Sequence, residues 1–112
     1  MNPSRADTVK AQWMSRGFSF ELWRDPPGRV WADFVHDVDE LAMLLEGEIE
    51  FTVGGKTSRP AIGQELLIPA GVRHTVVNVG ARKNVWCFGY RVRTSRDAHG
   101  ETTTDGTAVT LR

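Results

Sequence analysis

From Phe18 onward the hydrophobic residues come in short runs broken by turn signals every 8–12 residues, and this punctuation decides the fold class. Phe18–Trp23 alternates apolar and polar residues and is closed by the turn sequence Asp25-Pro26-Pro27-Gly28. Val30–Val35 is apolar and aromatic-rich, and Leu41–Leu45 is a continuous apolar run. Ile49, Phe51 and Val53 alternate with Glu48, Glu50 and Thr52, the pattern of a half-buried strand, and Gly54-Gly55 follows as a hairpin signal. Leu66–Pro69, Val72–Val79 and Asn84–Val92 read as further strands, with Ile68-Pro69-Ala70-Gly71 suited to a type I turn. Roughly eight short strands without βαβ alternation predict an all-β sandwich or barrel. Such a chain must protect its sheet edges, either by closing into an antiparallel barrel or by doubling into a jelly roll.

The ends read differently. Residues 1–17 form an N-terminal arm or short helix: Ser4 and Asp7 have capping-box-like spacing, Ala6, Val9 and Trp13 share one helical face, and Gly17 is a stop. The β-domain runs over 18–93, and 94–112 is a polar C-terminal tail in which Val109–Leu111 is the candidate for a last short strand. With 112 residues, 40% hydrophobic and 25% charged, the chain suits one globular domain with one core, and disorder as its main state is not expected. No run approaches the roughly 20 apolar residues of a membrane helix. The first dozen residues lack a signal-type apolar stretch, and the single cysteine, Cys87, fits a reducing compartment, so a cytoplasmic protein is expected. Seven acids and no Lys or Arg lie between Val30 and Gly55, whereas eight bases and only Glu65 lie between Lys56 and Arg96. Because 14 bases balance 14 acids, no nucleic-acid partner is expected, and the two halves are expected to attract each other.

Two segments carry potential metal ligands. His36 ends one apolar stretch and Glu40 begins the next, while His74 follows the Pro69–Gly71 turn. In a small β-domain, inward side chains of neighbouring strands converge, and two imidazoles with one carboxylate can take one face of a metal ion. The plainer reading is an exposed turn pair and a hydrogen-bonded core histidine.

The glycine and proline spacing adds to this. The chain reads His36-x3-Glu40-x6-Gly47 and then Gly63-x5-Pro69-x-Gly71-x2-His74-x3-Asn78. These two segments resemble, in order, the two sequence motifs of the cupin superfamily. The second is matched at all five fixed positions, and its Gly-Pro-Gly part alone has a chance on the order of 10⁻⁴ per starting position. The phrase Trp31–Leu41 is similar to small single-domain cupins. The resemblance implies a cupin barrel or jelly roll with a short N-terminal helix or arm. It also implies a site for one divalent metal ion (Fe, Mn, Ni or Zn) held by His36, Glu40 and His74. One position departs: where the first motif usually has an additional histidine, this chain has Phe34. Phe34 is therefore expected to line the pocket, with Asp33, Asp37 and Asp39 as nearby acids that nothing in the spacing distinguishes.

The functional expectation is a small cupin that binds a metal ion and acts on or binds a small molecule, as a metal-dependent dioxygenase or isomerase type if it is an enzyme. The alternative is a non-enzymatic binding or sensor cupin with a degenerate, metal-free site, and a homodimer is expected in either case. Tyr90 shares a strand face with Trp86 and Phe88 and is the candidate catalytic residue, against the plainer reading of a domain-edge hydroxyl in water. Trp13, Trp23, Trp31 and Trp86 serve either core packing or an aromatic pocket. Cys87 reads as an inert buried thiol, Arg73 as a solvent-facing strand residue or an anion contact, Asn78 as an organiser of a strand end, and His99 carries no role.

Overall fold

The computed structural model describes residues 4–92; the tail with His99 and Val109–Leu111 lies outside the described residues. The chain begins with helix α1 (Arg5–Ser15), whose N-terminus is capped by the Ser4 hydroxyl accepting from the Asp7 N–H at 3.1 Å. Gly17, at φ +88°, ends it, and the Phe18 N–H returns to the Trp13 carbonyl at 2.9 Å. Val9 and Trp13 are the buried residues of the helix.

Eight strands follow: β1 (Glu21–Asp25), β2 (Val30–Phe34), β3 (Glu40–Glu46), β4 (Ile49–Val53), β5 (Lys56–Ser58), β6 (Glu65–Ile68), β7 (His74–Asn78) and β8 (Asn84–Tyr90). They form two four-stranded sheets, ordered β1-β8-β3-β6 and β2-β7-β4-β5, with every pairing antiparallel. The pairs β1·β8, β2·β7, β3·β6 and β4·β5 are those of a long hairpin folded over on itself, which is a jelly roll. The sheets face each other and do not close into a barrel. The first strand expected from Phe18 begins instead at Glu21, and Phe18 makes only an isolated bridge to Arg91.

Burial explains why the central strands read as unbroken apolar runs. Ala42, Leu44, Trp86 and Phe88 meet Ile49, Phe51 and Val76 of the other sheet in the core between the sheets. Leu41, Met43 and Cys87 point the other way and pack under α1 with Val9, Trp13 and Phe18. β3 and β8 are thus covered on both faces. The helix is tied down by Glu65, which accepts from the Trp13 indole at 3.0 Å and pairs with Arg16 at 2.8 Å. Of the contacts expected between acidic and basic halves, Arg59–Glu50 at 3.1 Å and the longer Arg91–Asp39 at 3.9 Å are present, all with partly exposed groups.

Gly47 links β3 to β4 at φ +97°, and a Cβ there would lie 2.8 Å from Asn84 Cβ and 2.9 Å from Asn84 Cα. Gly55, at φ +83°, has open space around it. Gly47→Ala is therefore expected to lower stability by about 2 kcal/mol or more and Gly55→Ala by only about 1 kcal/mol, measured by urea unfolding. Cys87 is wholly buried, and burial first, then the Glu65 charge, pushes its thiol up to about 12. In the native protein at about pH 8 it should resist a disulfide reagent and react only on unfolding; fast labelling of folded protein would contradict this packing.

Candidate metal centre

The site lies at one end of the sandwich and draws on both sheets. In β2 the pairing register shifts between Trp31 and Phe34, with Asp33 in the left-handed region at φ +59° and its N–H donating to Thr75 Oγ1 at 3.0 Å. This bulge sets Phe34 opposite His74, the first residue of β7. The following loop, residues 35–39, is pinned by three main-chain donors. Gly71 N–H reaches the His36 carbonyl at 2.8 Å, Ala70 N–H the Asp39 carboxylate at 2.9 Å, and Arg91 N–H the Asp39 carbonyl at 2.9 Å. Glu40 then opens β3 between Ile68 and Tyr90. One sheet supplies Glu40, the other His74, and the pinned loop His36.

The three side chains converge. Glu40 Oε1 is 3.3 Å from His36 Nε2 and 3.2 Å from His74 Nε2, with the side chains 4%, 9% and 3% exposed respectively. One donor atom from each lies within 4.8 Å of the others. His74 Nδ1 is 3.1 Å from the Val72 carbonyl, which can only accept, so Nδ1 carries a hydrogen and Nε2 of the neutral ring presents a lone pair toward Glu40. Glu40 Oε1 is buried, with its nitrogen neighbours close and no aligned hydrogen bond. Burial is the strongest influence on Glu40 and raises its carboxyl, but the adjacent imidazoles of His36 and His74 together outweigh it and hold the group below its ordinary value. For His74 burial again acts first, downward, and Glu40 with the Val72 carbonyl more than reverses it, so the imidazole is raised. The two directions are one interaction seen from its two partners: a buried carboxylate with imidazole nitrogens 3.2 and 3.3 Å away can face a positive charge. A proton on His74 or a cation held by all three residues can supply it, and the donor set fits a divalent ion with positions left open.

Above the trio is a cavity of about 310 Å³ lined by Trp23, Trp31, Phe34, Val76, Trp86, Phe88 and Tyr90 together with the three polar residues. Phe34 is stacked on His36, with ring centroids 6.1 Å apart and planes 12° from parallel. Tyr90 places its hydroxyl 3.3 Å from His36 Nε2 rather than out in water. Three of the four tryptophans line this cavity, while Trp13 belongs to the core under α1. Asp33, Asp37 and Asp39 are not among the clustered ligand atoms, and Asp39 instead holds the loop. Arg73 is exposed and does not line the cavity. Asn78 donates to the Asp25 and Arg82 carbonyls at 3.0 Å and accepts from Gly80 N–H at 2.9 Å, organising two turns.

Sequence reasoning missed Asp25. It is 2% exposed, and its Oδ2 accepts from the Trp31 indole at 3.0 Å and the Trp86 indole at 2.9 Å, fixing two rings of the cavity wall. Asp25→Leu is expected to leave the buried Trp86 donor and the part-buried Trp31 donor without their acceptor and cost on the order of 3 kcal/mol. Urea unfolding followed by tryptophan fluorescence checks it; an unchanged midpoint would show that the wall does not depend on this carboxylate.

Among the described residues no helix is long and apolar enough to cross a membrane. No curated protein matches the chain. Among solved structures, a predicted oxalate decarboxylase from Thermotoga maritima is 21% identical, with a TM-score of 0.63 and 73% of each chain covered. A Thermus thermophilus protein is 27% identical, with a TM-score of 0.61 over 68% of this chain and 74% of that one. An oxalate oxidase in complex with glycolate is 22% identical, with a TM-score of 0.60 over 70% of this chain, which spans 43% of that one. The family model of the cupin domain matches residues 21–88, and the chain belongs to the cupin family.

Proposed function

We propose that this cupin holds one divalent metal ion through His36, Glu40 and His74 and uses it to bind, and act on, a small molecule in the cavity above. The observation that carries the reading is the convergence of two imidazole Nε2 atoms on the buried Glu40 Oε1, which has no aligned hydrogen bond. Bound there, an Fe, Mn, Ni or Zn ion would supply a Lewis-acid centre open to an oxygen-bearing ligand. Glu40 supplies the one negative charge of the donor set. The Val72 carbonyl keeps the His74 lone pair on Nε2. Phe34 occupies the side of the site where the family's first motif usually adds a histidine, and the three polar side chains are 3–9% exposed beneath the ring-lined wall. Tyr90, beside His36, is placed to hold or donate a proton at its hydroxyl oxygen.

A second reading, a metal-free binding or sensor site, is favoured by Phe34 at that motif position and by the Tyr90 hydroxyl, which can engage His36 Nε2 itself. Elemental analysis of protein purified without chelator separates the two. About one equivalent of a transition metal in the wild type, lost in both Glu40→Ala and His74→Ala while both stay folded by circular dichroism, is the expected result. No uptake after reloading with Fe(II), Mn(II), Ni(II) and Zn(II), with uptake restored by Phe34→His, would establish the metal-free reading instead.

A further inference from the structure

The ring contacts around the cavity form a closed circuit. Trp31 meets Trp23 at 6.0 Å, Trp23 meets Phe88 at 6.1 Å, and Phe88 meets Tyr90 at 5.8 Å. Tyr90 meets His36 at 4.7 Å, His36 meets Phe34 at 6.1 Å, and Phe34 returns to Trp31 at 6.2 Å. All six residues line the cavity. Its lining contains no Lys, Arg, Asn, Gln, Ser or Thr, so its polar chemistry is that of His36, Glu40, His74, the Tyr90 hydroxyl and the tryptophan indoles, of which those of Trp31 and Trp86 donate to Asp25. Arg29 lies over the Trp31 ring at 4.1 Å but is not part of the lining.

We propose that the cavity is built for an aromatic monoanion, a flat ring held inside this aromatic enclosure with a single carboxylate or phenolate oxygen head directed at His36, Glu40 and His74. The proposal rests on the metal reading above. Offset and edge-on contacts with an enclosing set of rings favour a flat aromatic ligand over an alicyclic one of the same size. At about 310 Å³ the space suits one substituted ring, near the small end of ligand pockets. Charge sets the head group. A divalent ion beside the single Glu40 carboxylate leaves one net positive charge, which a monoanion neutralises. A dianion such as oxalate would bury an excess negative charge with no cationic or amide side chain in the lining to meet it. A cation would meet like charge.

The test is a titration of Zn(II)-loaded protein, its zinc verified by elemental analysis, with benzoate, oxalate, cyclohexanecarboxylate and tetramethylammonium. Calorimetry gives the affinities, and quenching of Trp23, Trp31 and Trp86 reports entry into the cavity. Benzoate is expected to bind at least about tenfold more tightly than oxalate and more tightly than cyclohexanecarboxylate. Trp23→Leu, which alters a ring already 38% exposed, should weaken benzoate binding several-fold without changing the zinc content. Equal or tighter oxalate binding, tighter tetramethylammonium binding, or no preference over cyclohexanecarboxylate, in protein that retains zinc, would overturn the ligand class and leave the metal reading standing. If no zinc is taken up, the metal reading falls and the anionic head group falls with it. Titration of the metal-free protein with the neutral pair benzyl alcohol and cyclohexylmethanol then decides on the enclosure: quenching by benzyl alcohol but not by cyclohexylmethanol upholds it, and equal or absent quenching overturns it.

Discussion

The structure depends on two strands that are buried on both faces. β3 and β8 pair with each other and carry apolar side chains up and down, so each needs a cover on either side. The opposing sheet covers one face and α1 the other. This is why a helix that would be marginal in isolation is held by Val9 and Trp13. It also means that the space between the sheets must be filled by side chains from both. At one end the filling is incomplete, and what borders the gap is mostly large flat rings, with Val76 the one branched aliphatic. The cavity follows from that choice of residues on a common frame.

Two buried carboxylates near this gap do different things because of the nitrogen atoms they face. Asp25 meets two indoles. An indole N–H only donates, so Asp25 is satisfied by its neighbours, and its role is to fix Trp31 and Trp86. Glu40 meets two imidazoles, whose Nε2 atoms can donate or accept. Its Oε1 lies 3.3 and 3.2 Å from those two nitrogens without an aligned hydrogen bond. The two acids are equally buried; the amphoteric partners leave only the Glu40 site open to chemistry.

The sequence made some of this legible. Alternation and turn residues are local signals, so the strands around Ile49–Val53 and Asn84–Tyr90 could be read directly, as could the Ser4 cap of α1. β5 was visible only through Gly54-Gly55, because Lys56, Thr57 and Ser58 are all exposed and carry no apolar pattern. The resemblance to the two cupin motifs, not the bare spacing of the ligands, singled out His36, Glu40 and His74, and the fold brings them together. Asp25 was invisible because its partners come from positions 31 and 86, and no local pattern links an acid before Pro-Pro to two distant tryptophans. Tyr90 could be assigned a strand face, but its closeness to His36 depends on the pairing of Tyr90 with Glu40 across β8 and β3. Whether a tryptophan fills a core or walls a pocket is likewise decided by the opposing sheet.

The shared frame also limits what can be carried over from the structural neighbours. At 21–27% identity an oxalate oxidase, a predicted oxalate decarboxylase and a Thermus thermophilus protein share these strands, so the strands cannot choose a ligand. Selection must come from side chains that face the gap. Phe34 illustrates the point. It stands two residues before His36, pairs across the sheet with His74 and stacks on the His36 ring. A histidine there would extend the polar floor of the cavity; phenylalanine instead continues the aromatic wall to the edge of the ligand cluster. One residue thus reduces the polar chemistry and closes the ring circuit at once. Its effect on donor number and its effect on cavity shape have to be read together.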